Sequence, residues 1–389
     1  MRDYPRIWLK LDLSRAPERN ILRGISKYAQ LHGPWTFLLK PLYDPVSRAK
    51  GRRGKAALGR QPFDAALLSP TQVTDEMLAL HCPTMLTSSS STTHAGVYWI
   101  EGDNAAISRL AVDYFFERGY RNLAYCGLEP LVWSCQRKET FAHYVAELGG
   151  EVFLYDRVLS RNTIWEKELD DIVTWLGGLP KPIALLACND DRAQQVVQAC
   201  HMARIKVPEE ISILGVDNDD LICTTTNPPI SSIELDFELA GYRAAERLDR
   251  LMKNASVDSP QISVSPTQVV TRQSSDIMAI EDANVVDALS YIRKHYKTPL
   301  QVSQVAEAVA VSRRTMQLKF KRYLGRSIHE EITRVRVNHV ARLLVETTMS
   351  ISQIATSMGF ADDKHIAKLF CSHKGMVPHL YRKKHQLKR

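Results

Sequence analysis

The C-terminal part of the chain carries the same stretch twice, and this repetition restricts the possible folds more than any other feature. Val302, Val305, Ala306 and Val309 return 49 residues later as Ile351, Ile354, Ala355 and Met358. Met316, Phe320 and Gly325 return 50 residues later as Ile366, Phe370 and Gly375, so the second copy gains one residue at its turn. Repetition over this length means one supersecondary unit used twice. In each copy the first set has apolar residues at i, i+3, i+4 and i+7, which places one buried stripe on a helix. Ala306 and Ala355 are small residues where two helices cross closely, and Gly359 permits a tight turn. Ser312 suits the N-cap of a following helix whose Met316 and Phe320 lie at i, i+4. The unit predicted is a helix-turn-helix, over 302–323 and again over 351–374.

The second helix of the first copy leaves Arg313, Arg314, Gln317, Lys319 and Lys321 on the face opposite its apolar residues. That layout suits a helix that packs with one side and reads a DNA major groove with the other. It also suits the solvated basic face of a plain helical bundle. In the second copy Asp363, Lys364 and Lys368 face away from Ile366 and Phe370. A helix over Glu330–Glu346, about 26 Å long, separates the copies and would set two readers one DNA turn apart.

These residues resemble the DNA-binding domain of AraC/XylS-type transcription regulators. The pattern G-F-x-D-x-x-x-(F/I)-x-(K/R)-x-F-x-x-x-x-G-x-x-P-x-x-(Y/F)-R runs from Gly359 through Pro378 and Tyr381 to Arg382. The resemblance implies an all-α domain of two helix-turn-helices joined by a long helix, with duplex DNA as partner and RNA polymerase as a second partner of an activator. His365-Ile366 stands where that family usually has an aromatic pair, Lys368 where it has Arg, and Leu318 where a basic residue is common. These departures bear on which operator is read.

Charge separates this part from the rest. The net charge is +8, but residues 286–389 hold 20 Lys and Arg against 7 Asp and Glu, and the remainder holds 31 against 36. A basic module on a mildly acidic body indicates one nucleic-acid-binding unit and one unit with another task. The seven cysteines are odd in number and contain no Cys-x-x-Cys pair, which argues against a disulfide framework and a zinc ribbon and for reduced thiols in a cytoplasmic protein. The start MRDYPRIWLKLDL lacks the apolar run of a signal peptide, and no stretch approaches a membrane span.

Ahead of the repeat, strands alternate with helices. Short apolar runs at 6–13, 35–39, 63–68, 83–86, 97–100, 123–126, 152–155, 183–187 and 211–216 read as strands. Periodic stretches at 17–30, 104–118, 134–148, 165–176, 192–203 and 239–252 read as helices, and Ile262–Arg272 closes the series. Such alternation predicts parallel sheets covered on both faces, and this length predicts two α/β lobes. The expected organisation is a body over 1–275, a linker over 276–285 and the basic domain over 286–389. The segment GRRGKA within 47–60 has the wrong glycine spacing for a phosphate loop and Ala56 after Lys55, so it reads as a solvated loop.

The body resembles the sugar-sensing domain of LacI/GalR-type repressors, a type I periplasmic-binding-protein fold. The likeness rests on VYWIEGDNAAISRLAVDYFFERGYRNLAYCGL, WSCQRKETF, ALLACNDDRAQQVVQACHMARIKVPEEISILGVDNDD and PTQVVTRQSS. Ligands of parallel sheets bind beyond the carboxyl ends of strands. The strand at 183–187 ends in Cys188-Asn189-Asp190-Asp191, that at 211–216 in Asp217-Asn218-Asp219-Asp220, and that at 123–126 leads through Trp133 to Arg137. Carboxylates accept, amides do both and guanidinium donates as a fork, which suits sugar hydroxyls, while Trp covers a sugar's C–H face. Asn189, Asp190, Asp217, Arg137 and Trp133 are therefore the candidate ligand contacts. Each has a plainer reading: Asp190 or Asp191 as a helix cap, Asp217 as a turn residue, Trp133 as core. The resemblance places Arg137, Asn189 and Asp217 at effector-binding positions, and implies a sugar effector, D-xylose. A homodimer through the body is expected because symmetric dimers are the commonest oligomers and each chain already carries two reading heads.

Calcium is excluded at 217–228, where the sixth position lacks Gly and the twelfth is Pro228. The histidines show no metal-ligand spacing, and no cofactor is expected. An enzyme or carrier with an accessory helical tail would need a reactive constellation, but G-x-G-x-x-G, G-x-S-x-G and Walker A motifs are all missing. A constitutive architectural DNA binder would lack ligand-induced stabilisation.

Overall fold

The structure is a computed structural model and describes residues 4–39, 63–70, 82–88, 96–157, 165–257, 259–277, 282–360 and 362–385. The GRRGKA segment lies outside the described residues. In chain order the described elements are β1 Arg6–Lys10, α1 Ala16–His32, β2 Thr36–Leu39, β3 Ala65–Leu68, β4 Thr84–Leu86, β5 Val97–Gly102 and α2 Asn104–Glu117. There follow β6 Asn122–Cys126, α3 Val132–Glu147, β7 Glu151–Tyr155, α4 Trp165–Gly177, β8 Ile183–Ala187, α5 Asp190–Ala203, β9 Ile211–Val216 and α6 Asp220–Thr225. Then come β10 Ser231–Leu235, α7 Phe237–Met252, β11 Gln261–Val264 and β12 Pro266–Val270. The C-terminal helices are α8 Ala283–His295, α9 Val302–Ala308, α10 Arg313–Leu324, α11 Ile328–Glu346, α12 Ile351–Ser357, α13 Asp363–Lys374 and α14 Pro378–His385.

The α/β body has two lobes, each built on its own sheet. One sheet has the order β11-β5-β4-β3-β1-β2 and the other β12-β10-β9-β8-β6-β7. All described pairs are parallel except β10 with β12. Every residue of β8 and β9 is buried, Ser212 of β9 included, as strands covered on both faces require. The chain passes between lobes at β5–α2–β6, at β10–α7–β11 and at β11–β12. The run Ile262–Arg272, which closes the series in sequence, divides at Ser265. Its first part adds to one sheet and its second to the other. Periodicity does not reveal this, because both parts are extended. Strand β10 and helix α6 also lack a clear sequence signal. Ser231 and Ser232 are polar yet fully buried, satisfied by partners far away in sequence: the Ser231 hydroxyl donates to the Arg272 carbonyl at 2.8 Å, and Ser232 to Asp190.

In the first lobe α1 and α7 touch backbone to backbone. A Cβ on Gly24 would lie 2.0 Å from the Glu238 carbonyl oxygen, and one on Gly241 would lie 2.1 Å from that of Ile21. The absent side chains bring the two helices into contact.

The C-terminal module has two small cores, one per repeat. Val305, Ala306, Met316 and Phe320 join the first, with Leu289 and Ile292 of α8. Ile354, Ala355, Ile366 and Phe370 join the second. Ser312 caps α10 by accepting from Thr315 N–H at 3.1 Å, as its sequence position predicts, and Asp362 caps α13 by accepting from His365 N–H at 2.7 Å. The tight turns use equivalent left-handed residues, Ala310 at φ 54° and Gly359 at φ 62°. The linking helix starts at Ile328, two residues before the predicted Glu330. Ser327 and Glu330 form a capping box there, so Glu330 serves the cap from inside the first turn.

Candidate effector cleft and DNA-reading helices

Strands β6, β8 and β9 are neighbours in the second sheet, and their carboxyl ends bring the candidate ligand residues together. Arg137, on the first half of α3, is buried. Its Nε donates to Asn104 Oδ1 at 3.1 Å and its Nη1 donates to the Cys188 carbonyl at the end of β8. Its guanidinium carbon stands 5.4 Å from the centre of the Trp133 ring, which itself packs against the core. Trp133 thus holds Arg137 and fills core space together.

Asn189, rather than either aspartate after it, caps α5: its Oδ1 accepts from Arg192 N–H at 3.0 Å. Asp191 instead pairs with Arg15 of the other lobe at 2.7 Å. Asp190 turns inward and is fully committed. Its Oδ1 accepts from the Ser232 hydroxyl at 2.6 Å and its Oδ2 from Asp219 N–H at 2.7 Å. Burial pushes its carboxyl up to about 7. Asp217 has φ 106°, a strained backbone for a residue with a Cβ, of the kind that concentrates at functional sites. Burial first, and then the neighbouring Asp190 charge, hold its carboxyl well above the ordinary range, while Arg137 pulls the other way.

Sequence patterns give no hint of the first lobe's contribution. The first turn of α1 reaches across to the second lobe. Asp219 Oδ2 accepts from Ala16 N–H at 2.7 Å, and Arg19 Nη2 pairs with Asp219 at 3.0 Å. In the same turn Glu18 is buried, accepting from the Thr87 hydroxyl at 2.6 Å and from the Asp12 N–H. Burial raises its carboxyl. A carboxylate in the first turn of a helix is ordinary in sequence; only its burial sets it apart.

On the basic module Arg313, Arg314, Gln317 and Lys321 are exposed on α10, opposite buried Met316 and Phe320. Asp363, Lys364 and Lys368 are exposed on α13, opposite buried Ile366 and Phe370. Lys319 differs from the expected basic face: it is partly buried and pairs with Asp282, at the start of α8, at 2.7 Å. Leu318 is 65% exposed among these polar residues. Among the described residues no His, Cys, Asp and Glu group could hold a metal ion, and no helix is long and apolar enough to cross a membrane.

Two lobes with strand ends facing a shared cleft, followed by paired helix-turn-helices with basic outer faces, define a DNA-binding transcription regulator with a periplasmic-binding-protein-like sensor. Residues 112–275 match the family model of a periplasmic binding protein-like domain, and residues 305–384 that of a helix-turn-helix domain. The chain is a homologue of xylose operon regulatory proteins along nearly its whole length. It is 27% identical to the Xylose operon regulatory protein of Escherichia coli (strain K12) over 385 residues, covering 97% of this chain and 96% of that one. It is 29% identical to the protein of that name from Haemophilus influenzae over 287 residues, 73% of this chain and 74% of the other. Among solved structures it is similar to the xylose-binding transcription activator xylR, with TM-score 0.60, 25% identity and 98% of each chain covered.

Proposed function

We propose that this chain is a D-xylose-responsive transcription activator that works in the cytoplasm as a homodimer, without catalysis or a cofactor. In this reading residues 1–275 sense the sugar, 276–285 link, and 286–389 bind operator DNA and present the promoter to RNA polymerase. The observation that carries it is the convergence of Arg137, Asn189 and Asp217 at the ends of three adjacent strands, where parallel sheets take ligands. Arg137 donates to sugar hydroxyls, Asp217 and Asn189 accept from them, and Trp133 backs the guanidinium. Asp190 acts one step behind, holding the Asp219 loop. Xylose as the sugar is supported by the likeness to xylose operon regulatory proteins across the full chain. Arg313, Arg314, Gln317 and Lys321 on α10, and Asp363, Lys364 and Lys368 on α13, contact DNA.

Dimerisation through the body lets a sugar-driven lobe movement reposition paired readers on adjacent sites, because symmetric dimers are the commonest assemblies. The deciding experiment is a thermal-shift screen of pentoses and hexoses. D-xylose at a hundredfold excess over its Kd adds about 2.7 kcal/mol of stability. A shift with hexoses alone would replace the pentose assignment.

A further inference from the structure

Helix α2 reaches from the candidate cleft to the reading module. Its first residue, Asn104, accepts from Arg137 at 3.1 Å and donates to Gln136 Oε1 at 3.0 Å. One turn on, the Ser108 hydroxyl donates to the Arg137 carbonyl at 3.2 Å. The N-terminal end of α2 is thus tied to the backbone and side chain of the central cleft arginine. At fourteen residues the helix is about 21 Å long.

Its other end meets the reading module. Glu117, the last residue of α2, pairs with Arg334 of the linking helix α11. Arg334 is held on its far side by Glu331 at 2.7 Å, and Glu331 also accepts from Arg326 at 2.6 Å. Side-chain exposure is 17% at Glu117, 19% at Arg334 and 1% at Glu331, so the chain of charges is partly accessible but less open to salt screening than a surface pair. Just past α2, Arg121 donates to the Tyr323 carbonyl at 3.2 Å, on the last turn of the first reading helix. On the same face, burial and then the neighbouring Glu117 charge raise the Asp113 carboxyl, while Arg109, Arg334 and Lys374, the last residue of the second reading helix, pull it down. Beside them Tyr114 donates to or accepts from Ser275 Oγ at 2.6 Å, and Arg118 stacks over Tyr114. The end of the sensor is therefore fastened to the same turn.

We propose that α2 is the strut that transmits the state of the cleft to the DNA-reading module, with Glu117–Arg334–Glu331 as its joint. The geometry favours α11 as the receiving element. It joins the two helix-turn-helices, so a shift of its first turns moves both readers together. A rigid helix with one end on Arg137 and the other on α11 converts a change at the cleft arginine into a displacement of the reading module. The joint is polar and partly accessible, as a contact that separates and re-forms requires, in contrast to the two apolar cores of the module itself. This inference rests on the sugar-sensing reading above.

The test uses the full-length chain with Glu117→Gln, which breaks the joint, and Arg121→Ala, which breaks the neighbouring contact to Tyr323 at the same end of α2. Hydrogen exchange is measured first, without sugar. Faster exchange over 326–334 in both variants, with the exchange of the sensor core unchanged, is the expected result. Operator affinity is then measured with and without D-xylose. Coupling of this kind typically changes affinity by 5–150-fold. In both variants the ratio falls to within about twofold of one, while the D-xylose thermal shift stays at the wild-type value. Unchanged exchange over 326–334, or a wild-type affinity ratio in either folded variant, overturns the strut. A wild-type protein that shows no D-xylose response refutes the sugar reading instead, and the exchange measurement still decides the joint.

Discussion

The Asp190 carboxylate accepts from the backbone N–H of Asp219 at 2.7 Å, so the ends of β8 and β9 are joined by a buried charge-bearing group. Its other oxygen is taken by Ser232 of β10 at 2.6 Å. Three adjacent strand ends are thereby fixed relative to one another behind the candidate cleft, and the Asp219 side chain is aimed at Ala16 and Arg19 of the opposite lobe.

This brace makes stability depend on pH in a defined direction. Burial raises the folded Asp190 carboxyl to about 7, above its ordinary value of 3.8. The folded state therefore holds a proton that the unfolded state releases. The stability gained from this is complete below about pH 4 and is lost as pH rises through about 7. Asp190→Asn removes that dependence but leaves one N–H without an acceptor, at a cost of about 1–3 kcal/mol. The variant's melting deficit is expected to be larger at pH 5 than at pH 8, and an equal deficit at both would show that Asp190 does not titrate in this range.

Arg137→Ala and Asp217→Ala are each expected to abolish the D-xylose thermal shift while full-length protein still binds DNA. Sugar-induced stabilisation that survives both changes would place the pocket elsewhere.

Arg192 is fully buried and pairs with Glu168 at 2.6 Å inside the second lobe. Removing one partner of a buried pair leaves an uncompensated charge, so Arg192→Ala should cost about 3–5 kcal/mol. Denaturant titration measures this, and the double change Arg192→Met with Glu168→Gln should recover part of the loss.

The basic module holds two cores of its own, so residues 283–389 are expected to fold and bind duplex DNA alone. If four to six phosphates are contacted, the logarithm of affinity falls against that of salt with slope roughly −4 to −5. Arg314→Ala should cost about 1–3 kcal/mol on the cognate site and less on random DNA. Equal losses on both would reduce Arg314 to a phosphate contact.

Gly241→Ala places a methyl against the Ile21 carbonyl oxygen, 2.1 Å away before relaxation. Separating α1 from α7 should destabilise the first lobe by about 1–3 kcal/mol. A calorimetric melt of the full chain reports it.

The double helix-turn-helix was legible because it is local and stated twice. Its stripes, its Ser312 cap and its turn at Gly359 all act within a few residues of one another. The alternation of strand and helix in the body was equally plain, since β8 is apolar throughout and β9 is apolar but for Ser212. The candidate positions Arg137, Asn189 and Asp217 could be found from the rule that ligands lie at strand ends. What those side chains touch could not. That Asp190 is spent on Ser232 and Asp219, and that Ile262–Arg272 feeds two sheets, depend on partners far away in sequence. Glu117 and Arg334 lie 217 positions apart, and neither belongs to any local pattern. Sequence by itself determined the elements, because helix caps, periodicity and turns are short-range physics. Tertiary structure alone decided which polar groups are bound and which remain free, because burial and hydrogen bonding depend on whatever the folded chain brings alongside.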